Sequence, residues 1–177
     1  MKAITALVLL GLVSGVAAPA NNAPADSYFG RLKMSALRIR YQIAQLRGRY
    51  FNHKLLPEDV AHLASFASEA YYQWAARYPA DGWLASTGYN LAQLYEDLPG
   101  TDARTQAARA LNFVRTHFKN TRYSKEATAQ LARGLPLRPD PAWAIAMRHT
   151  PTPSPAPSGS IAPRAGASGS PVPKPSA

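Results

Sequence analysis

ASEAYYQWAARYPADGWLASTGYNLAQLY, residues 67–95, holds two apolar runs at helical spacing with a break between them at Tyr78-Pro79-Ala80-Asp81-Gly82. Before the break, Ala67, Ala70/Tyr71, Trp74 and Tyr78 recur at three- and four-residue steps; after it, Leu84, Gly88, Leu91, Tyr95 and Leu98 do the same. Proline cannot continue the first helix, and Gly82 is expected to relieve the backbone before Trp83 starts the second. The stretch therefore predicts a helical hairpin with its corner at Tyr78-Pro79.

Working outward, the first arm begins at Pro57-Glu58-Asp59, with proline in the first turn and acids at the positive end of the helix dipole. Its small residues, Ala61, Ala64, Ser65, Ala67, Ser68 and Ala70, permit close approach of a neighbouring helix. The second arm ends at Pro99-Gly100. Thr101 or Asp102 is placed as the cap of a further helix with the stripe Ala103, Ala107, Ala110/Leu111, Val114 and Phe118, and another follows from about Tyr123 to Gly134. The two hairpins match at an offset of forty residues: Ala67 with Ala107, Tyr71 with Leu111, Trp74 with Val114, Tyr78 with Phe118, Trp83 with Tyr123, Leu91 with Leu131 and Ala92 with Ala132. Matches concentrated at stripe positions are what stacked helical repeats require, since each hairpin buries its face only against the next.

Upstream, residues 28–50 contain no proline, and Tyr28, Leu32, Ile39, Ile43, Leu46 and Tyr50 form one stripe of a predicted helix. Met34, Leu37, Tyr41 and Ala44 fall on nearly the opposite side, a second apolar face that is either packed in the core or an interface, including one with a second copy of the chain. Basic edges run between them, Arg31, Arg38 and Arg49 on one and Lys33, Arg40 and Arg47 on the other. From Arg31 to Lys54 there are seven basic residues and no acid.

The two ends differ from this middle. Residues 1–20 read as a secretory signal: Lys2, an apolar run that stops at Pro19, and cleavage-compatible small residues at Ala18 or Ala20. The run is too short to span a bilayer, which argues against a transmembrane span in the mature chain. Residues 21–26 are expected to be a polar linker, 27–149 the helical domain, and 150–177, built mainly of Pro, Ser, Ala and Gly, a disordered tail. Asp140-Pro141 opens a short helix through Met147 that is expected to cover the open end of the stack. With no cysteine the chain has no disulfide, thiolate nucleophile, cysteine-ligated metal or lipidated N-terminal cysteine. Twenty Lys+Arg against ten Asp+Glu, a net charge of +10, favours anionic partners such as envelope polysaccharide, lipopolysaccharide or anionic lipid headgroups; export argues against nucleic acid.

The pattern Ala-x3-Tyr-x7-Pro at Ala67, Tyr71 and Pro79 resembles the second helix and closing proline of a tetratricopeptide repeat. Residues 119–127, KNTRYSKEA, resemble the P-x-S-x-Y-x-x-E-A corner of bacterial envelope tetratricopeptide proteins, such as the lipoprotein of the β-barrel assembly machinery and the Tol-Pal coordinator family. The resemblance covers about residues 57–135. It departs from the pattern at Trp74, at Lys119, in the absent lipidation cysteine, and in a period of forty where thirty-four is usual. It implies an all-α fold, a short right-handed stack of tetratricopeptide-like α-hairpins, and a role in protein–protein interaction.

No catalytic constellation accompanies this. His53, His62, His117 and His149 are scattered without metal-ligand spacing, and neither a G-x-S-x-G elbow nor a phosphate loop occurs. The ten acids form no evident catalytic pair. Aromatic residues off the core stripes remain. Tyr72, Trp83 and Tyr89, with Asn90 and Arg122, are placed as the lining of a concave surface that accepts a peptide. The sequence therefore reads as an exported, periplasmic or secreted, non-enzymatic scaffold that binds a protein or peptide in the cell envelope, with no cofactor. The alternative is a polyanion-binding module that uses Arg31, Lys33, Arg38, Arg40, Arg47 and Arg49 of the basic helix.

Overall fold

A computed structural model describes residues 22–149, which are all-α: six helices and, among the described residues, no strand beyond the single bridge Phe29–Met34. The predicted signal, its cleavage site and the predicted tail lie outside the described residues. The helices are α1 (Ala36–Phe51), α2 (Pro57–Arg77), α3 (Leu84–Asp97), α4 (Thr101–His117), α5 (Arg122–Arg133) and α6 (Ala142–His149). Helices α1 to α5 each pack on the next in sequence, and α3 also touches both α1 and α5, so α1, α3 and α5 share a layer. Between α2 and α4 the contact is made by Tyr71 and Tyr72 against Phe113. None of the helices is long and apolar enough to cross a membrane.

The corner between α2 and α3 is fixed by Asp81, which is buried. Its carboxylate accepts N–H bonds from the Trp74 indole at 3.0 Å, from the Trp83 backbone at 3.0 Å and from the Ala23 backbone at 2.8 Å. The expected role of Gly82 is not seen: it is exposed, its φ is not positive, and a Cβ there would meet nothing. The aspartate accepts the N–H of Trp83, the residue just before the first turn of α3, and glycine is not needed for the turn.

The forty-residue repeat is legible in the backbone. Tyr78 N–H donates to Trp74 O and Asp81 N–H to Tyr78 O; forty residues on, Phe118 N–H donates to Val114 O and Thr121 N–H to Phe118 O. Thr121 caps α5 through its hydroxyl, which accepts from Ser124 N–H; at the equivalent position Asp81 bonds the Trp83 N–H two residues on. The second copy is less enclosed at its far end, where Leu131 is only half-buried and Ala132 exposed, against fully buried Leu91 and Ala92.

Three further sequence expectations are corrected. The helix predicted over 28–50 begins only at Ala36, because Gly30 sits at φ +68° against Ala70 and Phe29 and Met34 exchange two backbone hydrogen bonds. Ser35 then caps α1. Phe29 and Met34 enter the core in place of Tyr28 and Leu32, which are exposed. Residues 22–31 form a strap lying along α2. Ala23 bonds Asp81, Ser27 bonds the Tyr78 hydroxyl, Phe29 packs on Trp74 and Tyr78, Gly30 N–H donates to Gln73, and Arg31 pairs with Glu69.

The other two concern helix ends. Gly100, at φ +93°, occupies the cap position of α4, which puts Thr101 inside the helix. And α6 does not cover α5: Trp143 stacks on His53 and meets Tyr50, while Arg148 pairs with Glu58 of α2, so the short helix closes the opposite end of the chain.

Gly88 marks the tightest approach in the core. A Cβ there would lie 2.2 Å from the Tyr71 hydroxyl oxygen and 2.8 Å from Val114 Cγ2. Alanine is the better helix former by about 1 kcal/mol, so glycine at this buried position reflects three helices meeting. Gly88→Ala is expected to destabilise the fold by roughly 1–3 kcal/mol, as overpacking does. Urea unfolding measures it, and Tyr71→Phe in the same chain should recover part of the loss.

Candidate binding groove

A recess of about 590 Å3 opens between α2 and α4. One wall is a face of α2 at helical spacing, Ala61, Ser65, Ser68 and Tyr72; the other is Asp102, Ala103, Gln106 and Arg109 of α4. Tyr95 of α3 lies beneath, its hydroxyl 2.9 Å from that of Ser68. The small residues of α2 thus divide into two sets. Ala64, Ala67 and Ala70 are buried and let neighbours approach, whereas Ala61, Ser65 and Ser68 leave the groove open.

Tyr72 is clamped. Its ring meets Phe113 edge-on at 5.1 Å, and the Arg109 guanidinium lies 4.7 Å above it. Burial pushes the Tyr72 hydroxyl above its ordinary pKa, with Arg109 opposing; burial also raises Tyr95, with its bond to Ser68 opposing. Both phenols are therefore neutral hydrogen-bonding groups at physiological pH, and neither supplies a base. Glu69 sits at the groove's edge in an ion pair with Arg31 at 2.7 Å, a hydrogen bond that holds its carboxyl below the usual range.

The other residues placed in one lining by sequence are dispersed. Trp83 lies beneath the Arg40 guanidinium at 4.4 Å, and Asn90 shares a recess of about 380 Å3 with Arg40, Arg47 and Phe51. Tyr89 packs on Tyr123 of α5, whose ring and hydroxyl are both engaged by Arg122. Only Tyr72 lines the α2–α4 groove. Sequence reasoning missed Ser65, Ser68, Gln106 and Arg109; the small residues at i, i+4 and i+7 on α2, Ala61, Ser65 and Ser68, were the available signal, read there only as helix-packing positions.

The basic residues also separate. Arg31 and Arg47 are neutralised by Glu69 and Asp97, the latter at 2.6 Å, and Arg40 covers Trp83. Lys33, Arg38 and Arg49 have no side-chain partner among the described residues. The histidines serve packing or local bonding: His53 stacks on Trp143 and His117 on Phe113, His62 meets Phe66 edge-on, and His149 is 2.7 Å from Ile145 O. Among the described residues no three His, Asp or Glu side chains gather as a metal site. The chain matches no protein-family model, no curated protein and no solved structure.

One acid stands in an unfavourable place. Glu96, between α3 and α5, receives the amides of Gln93 and Gln130 on Oε2, while Oε1 is buried without a partner. Burial first, and the neighbouring Asp97 second, raise its pKa above the ordinary 4.5. A raised carboxyl pKa means the folded state holds the proton more tightly. Stability from this group is therefore complete below pH 4.5 and lost as pH rises through the folded value. Glu96→Gln should raise the unfolding midpoint at pH 7, with the difference from the unsubstituted protein closing below pH 4.5; thermal melts at both pH values measure it.

Proposed function

We propose that this chain is an exported, non-enzymatic helical-repeat scaffold that binds an extended peptide segment of an envelope protein in the groove between α2 and α4. The tetratricopeptide resemblance belongs to this reading, and what it contributes is the architecture of hairpins stacked to make a groove. The observation that carries the reading is the composition of the recess: small residues along one wall, the clamped Tyr72 within it, and Gln106, Gln73 and Arg109 at its rim. Residues 61 to 73 of α2 span about 18 Å at 1.5 Å per residue, the length of about five residues of extended peptide. The amide side chains suit peptide N–H and C=O groups, and the Tyr72 ring offers an anchor surface of the kind that dominates peptide interfaces. No assembled nucleophile, base and orienting group competes with a binding role for this recess.

The reading is tested by in-cell photo-cross-linking from position 106. Gln106 replaced by a benzophenone amino acid should yield a discrete protein adduct. That adduct should be lost when Ser65→Trp fills the groove, and it should be absent when the same probe stands at exposed Lys119. An adduct indifferent to Ser65→Trp, or equal from position 119, would remove the groove from the account.

A further inference from the structure

Of the second apolar face expected of the basic helix, Met34 is packed in the core while Leu37, Tyr41 and Ala44 are exposed. Leu37, 64% exposed, and Tyr41, 58% exposed, stand one turn apart on α1. Tyr28 of the strap, 57% exposed, joins them around an open recess of about 510 Å3 that Lys33, Ser35 and Arg38 complete. A second recess of about 300 Å3 shares Lys33 and Arg38 and is lined by Leu32 and Phe66 among others. Neither recess has a carboxylate in its lining. The chain holds no acid at all between Asp26 and Glu58, and Lys33 and Arg38 have no partner among the described residues. Apolar side chains left in water beside uncompensated cations mark an interaction surface.

Charge decides between the occupants. A second copy docked through the same face by a two-fold axis would bring Lys33 and Arg38 toward their own equivalents with no acid between them. The occupant must be anionic. It must also receive apolar groups that stand out from the surface, since Tyr28, Leu37 and Tyr41 are each more than half exposed and form no closed slot for an incoming side chain. Tyrosine rings settle at the level of lipid headgroups, and the long stems of lysine and arginine lie along apolar surface while their charges reach phosphate. We infer that the outer face of α1, with Tyr28 of the strap and Lys33 of the turn that follows it, docks the protein on an anionic lipid bilayer. Tyr28, Leu37 and Tyr41 enter the interfacial layer, and Lys33 and Arg38 pair with headgroup phosphates. This narrows the anion-binding alternative to one surface, and it is independent of the groove between α2 and α4.

Co-sedimentation of the purified full chain with vesicles tests it, using phosphatidylcholine alone and phosphatidylcholine with about one-third phosphatidylglycerol. Capture is expected on the anionic vesicles and to fall with added salt. Leu37→Ser with Tyr41→Ser, and separately Lys33→Gln with Arg38→Gln, should each weaken capture about tenfold or more. All four positions are exposed, so circular dichroism should be unchanged. Equal capture by neutral and anionic vesicles would assign binding to the apolar segment 1–20 and overturn the inference. So would capture by anionic vesicles that neither double variant weakens. Failure to bind any vesicle, with an immobilised poly-glutamate peptide retained through Lys33 and Arg38, would make the face a protein-docking surface and equally overturn it.

Discussion

The buried carboxyl group of Asp81 ties three segments of this protein together. Asp81 is satisfied entirely by N–H donors, one from each of the strap, the end of α2 and the start of α3. Burying a carboxyl group is costly unless hydrogen bonds replace its water, and these three donors supply them. This network fixes more than a turn. It sets the angle between α2 and α3, seats the Trp74 ring under Phe29, and starts the strap that runs back along α2 to Arg31 and Glu69. From that frame Gly88 brings α3 against Tyr71 and Val114.

The parts of the fold with local causes were legible in the sequence. The Tyr78-Pro79 corner, the start of α2 at Pro57 and the forty-residue offset between Tyr78 and Phe118 all follow from residue periodicity and proline chemistry, and the backbone repeats them. What was not legible has a non-local cause. Tyr28 and Leu32 fit the helical stripe of Ile39 and Ile43 by spacing alone, yet the chain folds back at Gly30 because α2 leaves room there only for a residue without Cβ. Asp81 looked like one polar residue in a turn, and Gly82 the important one, since nothing in sequence announces an indole donor seven positions away and a backbone donor fifty-eight positions away. The candidate lining suffered similarly. Tyr89 and Asn90 are neighbours in sequence, but the helix turns them toward different partners, Tyr123 and the recess beside Arg47.

The same frame separates two surfaces. The α2–α4 groove is close to balanced in charge, with Glu69, Asp102 and Arg109 on its lining, whereas the outer face of α1 is cationic and apolar without an acid. A protein that uses the first for a peptide and the second for a bilayer would hold its partner beside a membrane surface. The strap is the physical link between them. It pairs Arg31 with Glu69 at the groove's edge and ends in the turn that presents Lys33.

Equilibrium urea unfolding of Asp81→Ala compared with the unsubstituted protein tests the role of the corner most directly. The substitution leaves the N–H groups of Ala23, Trp74 and Trp83 without their acceptor, and of these the Trp74 indole is fully buried; at about 1–3 kcal/mol for a buried unsatisfied donor, a loss of roughly 1–3 kcal/mol is expected. It should be accompanied by a change in tryptophan fluorescence as Trp74 gains water. A loss within about 0.5 kcal/mol, the range of an ordinary surface substitution, would contradict the account.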